Sequence, residues 1–333
     1  MKSAITQLTR RAFVRMASMS SVGAVLGSAC KGPTAAEPTR EQGPTATSTS
    51  APTSAPTSTP VQEPTATPIK VAQAERTLST GSVSIEWLGH GSFKFNSPEG
   101  KVVLLDPWLE TNPTCPPQYR TMEGFSQVDL VLFTHGHVDH FMLPDVKAII
   151  EQFNPKIIAP WELEFFLKAE VPLADTLTFS LANKGATSWI DELGITMVGA
   201  DHSSGAQLNG FEGVNKYVGE PCGYIIEFEN GFKVYHSGDT GLTADMELIV
   251  GNFYAPDMAI LPIGGVFTMG SREAAYACKL IRPKYVIPEH YATFPVLTQT
   301  ADEFVEWVSQ YSPETQVSVI EPGDSVEMPP AAS

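Results

Sequence analysis

Four side chains that can bind a metal ion fall within six residues, in the run Thr134-His135-Gly136-His137-Val138-Asp139-His140. The run follows a nearly continuous apolar segment from Val128, which predicts a strand buried on both faces. Neutral imidazole and carboxylate suit Zn²⁺, Fe²⁺ and Mn²⁺. One tetrahedral ion cannot easily take all four side chains, whereas two ions about 3.5–4 Å apart can. The fold must therefore place a metal site at the carboxyl end of a buried strand.

Three more candidate ligands stand just past predicted strands. They are His202 after Ile195–Ala200, Asp239 after Lys233–His236 and His290 after Tyr285–Ile287. Open α/β sheets place their ligands at the carboxyl ends of strands. Each residue alone could be a structural histidine or a turn aspartate, but together with the run at 134–140 they predict a metal centre.

Strand and helix patterns alternate from Thr80 to Met328 without an internal boundary, over a length typical of one large domain. The predicted strands are Val83–Leu88, Ser92–Phe95, Lys101–Leu105, Val128–Thr134, Lys156–Ala159, Ile195–Ala200, Lys233–His236, Met258–Leu261 and Tyr285–Ile287. The predicted helices are Pro144–Phe153, Trp161–Glu170, Ser271–Ile281 and Ala301–Tyr311. Because the first strands form antiparallel hairpins, the pattern favours an α/β fold with two mixed sheets covered by helices.

The motif Thr-His-x-His-x-Asp-His, the later His202, the Gly238-Asp239-Thr240 turn and the strand-end His290 resemble the metallo-β-lactamase superfamily. The resemblance covers nearly all of Val83–Met328 and implies a four-layer αββα sandwich with two mixed β-sheets. It also implies two divalent metal ions, Zn²⁺ with Mn²⁺ or Fe²⁺ as alternatives. The implied ligands are His135, His137 and His202 for one ion, Asp139, His140 and His290 for the other, and Asp239 as the bridge.

In this superfamily a metal-bound hydroxide attacks an ester, a lactone or a phosphoester. Asp139 is the implied catalytic residue, orienting the water and moving its proton. Some true β-lactamases carry Cys at the position of Asp239, so the aspartate argues against that activity. The resemblance thus implies a hydrolase acting on an ester, lactone or related bond of a small molecule.

Four further segments resemble a branch of uncharacterised metal-dependent hydrolases similar to ascorbate-6-phosphate lactonase. They are Trp87-Leu88-Gly89-His90-Gly91-Ser92-Phe93, Leu105-Asp106-Pro107-Trp108-Leu109, Leu261–Gly270 and His290-Tyr291-Ala292-Thr293-Phe294-Pro295. Two positions depart from that branch: Glu289 replaces an apolar residue, and Val266 replaces a larger or polar one. Both departures are expected to alter the substrate pocket.

Four residues outside the ligand set are candidates for contact with the ligands or the substrate. If the fold is right, His90 and Asp106 lie in loops that face the metals, where they either orient a ligand imidazole or stabilise the loop. His236 is expected beneath the site rather than as a ligand. Tyr291 lines a substrate cleft or packs in the core.

Residues 1–29 are typical of an export signal, since four basic residues and no acidic one are combined with the weakly apolar stretch Met16–Ala29. The Arg10-Arg11 pair resembles a twin-arginine signal. Leu26-Gly27-Ser28-Ala29-Cys30 resembles a lipobox, which would lipidate Cys30; ordinary cleavage after a small residue is the alternative. Residues 30–79 contain a Thr/Pro/Ser/Ala run and are predicted to form a disordered tether.

The formal charge of −16 becomes −20 once the four basic residues of the signal are removed, which argues against a nucleic-acid partner. The expected protein is exported, to the outer face of the cytoplasmic membrane, the periplasm or the cell surface. Its expected partners are a small-molecule substrate and, through a lipid on Cys30, the membrane. The sequence does not indicate an oligomeric state.

Two other functions stay open. A phosphodiesterase or phospholipase-type hydrolase would need a basic pocket, and no Lys/Arg cluster lies near the motifs. A non-catalytic metal-binding surface lipoprotein would be expected to have lost at least one ligand. Among the remaining cysteines a Cys115–Cys222 disulfide is permitted outside the cytoplasm, and Cys278 is predicted to pack in a helix.

Overall fold

The structure, a computed structural model, describes residues 78–171, 183–209 and 212–331. The predicted signal (1–29), Cys30 and nearly all of the predicted tether (30–79) lie outside the described residues. Within the described part of the chain, every helix is too short or too polar to cross a bilayer.

The first of two large sheets contains six strands in the spatial order β15-β1-β2-β3-β4-β5. Their bounds are β1 Val83–Gly89, β2 Ser92–Asn96, β3 Val102–Leu105, β4 Leu130–Leu132, β5 Lys156–Ile158 and β15 Ser325–Met328. Strands β15, β1, β2 and β3 pair antiparallel, and β3, β4 and β5 pair parallel, so the sheet is mixed.

The second sheet contains seven strands in the order β14-β13-β12-β11-β10-β7-β6. Their bounds are β6 Thr187–Ile190, β7 Leu193–Gly199, β10 Cys222–Glu227, β11 Lys233–His236, β12 Met258–Pro262, β13 Tyr285–Glu289 and β14 Gln316–Val317. It too is mixed, with parallel pairing from β11 to β14. Strands β8 Gly205–Asn209 and β9 Glu212–Tyr217 form a separate hairpin.

Within the described residues, four α-helices and one π-helix accompany the sheets. They are α1 Leu143–Phe153, α2 Trp161–Glu170, the π-helix Met246–Tyr254, α3 Ser271–Ile281 and α4 Asp302–Tyr311. Short 3₁₀ turns occur at Pro117–Tyr119 and Met122–Gly124.

Side chains alternate along β3 and β4 between two apolar cores, as the two-residue period of a strand requires. Val103 and Leu105 point into a core shared by both sheets, which also takes residues of α3 and α4. Leu104 and Val131 point into a second core with α1 and α2. Burial on both faces explains why these strands are nearly continuous apolar runs. The predicted α/β sandwich with two mixed sheets is confirmed.

The three described cysteines, Cys115, Cys222 and Cys278, are buried and free. The permitted Cys115–Cys222 disulfide is therefore absent from the described structure. Burial raises the pKa of each thiol to about 12, so these cysteines behave as small apolar side chains.

Candidate metal centre

Asp106, the residue after β3, organises the loop that follows β4. Its Oδ1 atom accepts a hydrogen bond from the Thr134 backbone N–H (2.7 Å), and Oδ2 accepts one from the Thr134 hydroxyl (2.5 Å). Oδ2 also lies 2.9 Å from His140 Nδ1. Burial raises the pKa of Asp106, although His140 partly offsets this effect. Asp106 thus fixes the start of the loop and orients the His140 ring so that its Nε2 atom faces the site.

His135, His137 and His202 form the first donor cluster. His137 Nδ1 lies 2.9 Å from His135 Nε2 and 3.3 Å from His202 Nε2. Burial lowers the pKa of all three imidazoles. They are therefore neutral near pH 7, the state in which histidine binds a metal.

Asp139, His140 and His290 form the second donor cluster together with His90; one ligand atom from each lies within 4.8 Å of the others. His290 directly follows β13, and His140 lies against the β1–β2 turn. A β-carbon at Gly91 in that turn would lie 2.8 Å from His140 Nδ1, so a residue without a side chain is needed there.

Asp239 lies between the two clusters. Its Oδ2 atom is 3.2 Å from His290 Nε2 and 3.5 Å from His202 Nε2, and its Oδ1 atom is 3.3 Å from His140 Nε2. Burial disfavours its ionised form, but His140 and His290 outweigh that effect and hold the pKa of Asp239 well below its usual range. The carboxylate is therefore charged and shared by both clusters.

The donors fit divalent transition-metal ions. Ligands about 2.0–2.2 Å from one tetrahedral ion lie roughly 3.4 Å from each other, close to the separations seen here. Two buried atoms, His140 Nε2 and Asp239 Oδ1, make no hydrogen bond within the described residues. Burial opposes a charge on His140, yet Asp239 and Asp106 raise its pKa well above the ordinary value. A bound cation would supply the positive charge that this proton supplies.

His90 belongs to the second cluster more closely than the sequence indicates. Its Nε2 atom lies 3.2 Å from Asp139 Oδ2, its Nδ1 atom 2.9 Å from Thr293 Oγ1, and its ring centre 3.8 Å from that of His290. Burial and His290 lower the pKa of His90 to about 4. The neutral ring donates through Nε2–H to Asp139 and accepts from the Thr293 hydroxyl.

His236 and Tyr291 do not join the donor clusters. His236 is fully buried, accepts a hydrogen bond from the Gly238 N–H through Nδ1 (3.1 Å) and packs edge-on against Phe93. The Tyr291 ring stacks on Trp87, with ring centres 5.3 Å apart. Tyr291 also lines a cavity of about 340 Å³ to which no candidate ligand contributes.

Two residues that sequence reasoning did not assign to the site contact it. Thr293 is one, through its hydrogen bond to His90; it lies in the segment after His290 that carries the family resemblance. Glu289 is the other, noted only as a departure: it is fully buried, and neither of its carboxylate oxygens has a hydrogen-bond partner among the described residues. Burial and then Asp239 raise its pKa well above the usual range. Burial therefore favours the protonated form of Glu289 beside the second cluster.

Known proteins are similar to this chain in sequence and in fold. A family profile described as "Beta-lactamase superfamily domain" matches residues 84–290, which include every candidate ligand. A UPF0173 metal-dependent hydrolase of Chloroflexus aurantiacus is 40% identical over 246 residues, which are 74% of this chain and 97% of the relative. One from Cupriavidus necator is 42% identical over 257 residues, covering 75% and 87% of the two chains.

A solved structure agrees with these relatives. Igni18, described as a novel metallo hydrolase from the archaeon Ignicoccus hospitalis, is 34% identical with a TM-score of 0.62. The match covers 74% of this chain and 98% of Igni18.

Proposed function

The chain is a metal-dependent hydrolase of the metallo-β-lactamase superfamily, and we propose that it uses two divalent ions to cleave an ester, a lactone or a related bond of a small molecule. The observation that carries the proposal is Asp239. Its two oxygens lie 3.2–3.5 Å from histidine nitrogens of both donor clusters. A carboxylate shared in this way can serve as a ligand to both ions of a two-ion hydrolytic centre.

His135, His137 and His202 would hold one ion, Asp139, His140 and His290 the other, and Asp239 both. Ions bound there would polarise the scissile carbonyl and lower the pKa of water to about 7. Zn²⁺ suits this mixed nitrogen and oxygen donor set, and Mn²⁺ and Fe²⁺ also accept it.

Asp139 is the carboxylate best placed to accept the proton of the attacking water and to transfer it. Its side chain is 23% exposed, whereas those of Asp239 and Asp106 are 3% and 0% exposed. Burial opposes its ionisation, but the hydrogen bond from His90 and the charge of His140 outweigh burial and hold the pKa of Asp139 well below its usual range. With Oδ2 held by His90, the ionised carboxylate keeps Oδ1 for an ion or for the proton of the attacking water.

Metal analysis joined to a substrate screen tests the proposed function. We expect purified protein, loaded with Zn²⁺ or Mn²⁺ and desalted, to retain about two ions per chain by elemental mass spectrometry, because the donors form two clusters. It should hydrolyse at least one carboxylic ester or lactone, lose that activity in chelator and recover it when metal is restored.

The same screen separates the other functions. Thioesters, β-lactams and phosphodiesters are assayed beside the esters and lactones. Turnover of phosphodiesters alone would favour the phosphodiesterase, and two bound ions without turnover of any substrate would favour the metal-binding lipoprotein. Protein that retains no metal would contradict all three functions.

The proposed location of the protein is outside the cytoplasm. The Arg10-Arg11 pair and the lipobox-like segment ending at Cys30 support this proposal. We expect the Arg10→Lys/Arg11→Lys double variant to accumulate as unprocessed precursor in the cytoplasm, since twin-arginine export depends on the arginine pair. Fractionation of cells followed by immunoblotting measures this accumulation.

A Cys30→Ala variant is the matched control. It should still leave the cytoplasm but lose labelling by a radioactive fatty acid and shift from the membrane to the soluble fraction. Normal export of the double lysine variant would overturn the twin-arginine proposal, and unchanged labelling of the Cys30→Ala variant would overturn lipidation at that residue.

A further inference from the structure

Apolar side chains, three of them exposed, border the metal centre, and we propose that the substrate is an uncharged ester or lactone that carries an apolar chain. This inference rests on the proposed hydrolase function and adds the chemical class of its substrate. The border, called the apolar rim below, consists of the exposed Val266, Phe267 and Val296, the half-buried Phe294, and the buried Trp108 and Val138.

One side of the rim is a loop fixed to the metal centre. Gly264 and Gly270 pair at its base, and the Met269 N–H donates to the carbonyl oxygen of Thr240, next to Asp239. A β-carbon at Gly264 would collide with the carbonyl oxygen of His290 and lie 3.0 Å from its Nδ1 atom. The base of this loop therefore lies against His290 and beside the residue that follows Asp239.

The tip of the loop is apolar and open to solvent. Val266 is 55% exposed and Phe267 is 57% exposed. Val266 is also one of the two positions at which the chain departs from the branch it resembles. An exposed aromatic and aliphatic pair beside a reactive centre offers an apolar surface to whatever enters it.

The other side of the rim continues this surface. Thr298 N–H donates to the Gly264 carbonyl, and the same turn holds Phe294 and the exposed Val296. Phe294 packs with Trp108 and Val138 in a small apolar cluster separate from the two main cores. The rings of both Phe294 and Trp108 contact His90 edge-on, with centres 5.6 and 5.4 Å from the imidazole. The rim thus reaches the second donor cluster directly.

Charges near the rim disfavour an anionic substrate. The cation nearest the loop in sequence, Arg272, is turned toward α4: its guanidinium lies 5.1 Å from the Trp307 ring centre and its Nε donates to the Tyr311 hydroxyl. Glu273, its neighbour, instead places Oε2 beside the loop base, 3.0 Å from where a β-carbon at Gly270 would lie.

The charged partners of the site residues also favour an uncharged substrate. In the ion pairs found among the described residues, Asp106, Asp139 and Asp239 pair with histidines and not with lysine or arginine. Residues 172–182 and 208–214, whose side chains the structure does not describe, contain no lysine or arginine. Among the described residues and these two segments, the site thus shows no paired lysine or arginine of the kind that usually binds a phosphate or a carboxylate. An uncharged acyl or alkyl group gains by burying its surface against the rim.

The test is a series of p-nitrophenyl esters from acetate to hexanoate, assayed with the metal-loaded full chain. We expect kcat/KM to rise about threefold for each added methylene that contacts the rim. The hemisuccinate ester, close to butyrate in length but ending in a carboxylate, should be hydrolysed at least about tenfold more slowly than the butyrate ester.

The Phe267→Ser variant tests whether the dependence of kcat/KM on chain length comes from the rim. Its kcat/KM for hexanoate should fall about tenfold and that for acetate less than about twofold, because only the longer chain reaches the loop tip. Phe253→Ser is the matched control, since Phe253 is an equally apolar side chain, 76% exposed, on the π-helix. This variant should leave both values unchanged.

Binding of the non-hydrolysable hexyl p-nitrophenyl ether, measured by calorimetry, separates this inference from the proposed function. Ether binding that weakens about tenfold in Phe267→Ser, without hydrolysis of any ester, would support the rim but contradict ester cleavage. Hydrolysis of acetate with no dependence on chain length, or faster hydrolysis of the hemisuccinate than of the butyrate, would overturn the apolar substrate.

Discussion

Replacing Asp239 by alanine is expected to remove both ions and to lower kcat/KM by at least about a thousandfold, the equivalent of about 4 kcal/mol of transition-state stabilisation. The reason is that one carboxylate contacts histidines of both clusters, so its loss leaves each cluster without its only shared anionic donor. Elemental analysis of the desalted variant and ester or lactone turnover measure the two effects.

His137→Ala is the comparison for Asp239→Ala. The His137 imidazole lies 2.9 and 3.3 Å from nitrogen atoms of the other two donors of the first cluster, so this variant should lose the ion of that cluster and retain about one ion per chain. Asp239→Asn, which keeps the shape of the side chain, and circular dichroism of all three variants distinguish loss of metal from loss of fold. An Asp239→Ala protein with two ions and normal turnover would exclude a bridging role.

Asp139→Asn is expected to lower kcat about 10²- to 10⁴-fold with a much smaller change in KM, the range usual for loss of a group that moves a proton in the rate-limiting step. The amide retains one oxygen, which can either accept the hydrogen bond from His90 or bind an ion, and it cannot take a proton from water. Steady-state kinetics at saturating metal, with the metal content of the same sample, measure the effect.

His90→Phe provides the control for this prediction. It keeps an aromatic ring against His290 and Trp108 but removes the hydrogen bond to Asp139, so we expect a loss of only about 10- to 100-fold, as for other residues that orient a ligand. If Asp139→Asn retains both ions and full kcat, Asp139 serves only as a ligand and another group moves the proton.

Local sequence was sufficient to predict five of the six strands of the first sheet and most of the donors. Side chains of the strand β4 alternate between two cores, so the strand is a continuous apolar run. His135, His137 and His140 follow its end within a span of six residues. Because strand ends of one sheet meet at one edge, Asp239 and His290, which both follow strands of the second sheet, could be expected to lie close to each other.

Contacts between distant segments could not be predicted in the same way. The Thr293 hydroxyl meets His90 across 203 residues of chain, and β15 pairs with β1 although its exposed and partly buried residues show little apolar pattern. The π-helix exposes Leu248 and Phe253 despite its apolar composition, so neither a helical nor a strand period describes it. Such features depend on packing that no short window of sequence contains.

Both donor clusters take side chains from the two large sheets. His90, His135, His137, Asp139 and His140 come from turns of the first sheet, and His202, Asp239 and His290 come from strand ends of the second. An ion bound at either cluster therefore fastens the two halves of the sandwich together. By thermodynamic linkage, the free energy of unfolding should rise with the logarithm of the free metal concentration, by about 2.7 kcal/mol per site at a hundred times Kd. Metal supply would then set the lifetime of the folded enzyme as well as its turnover.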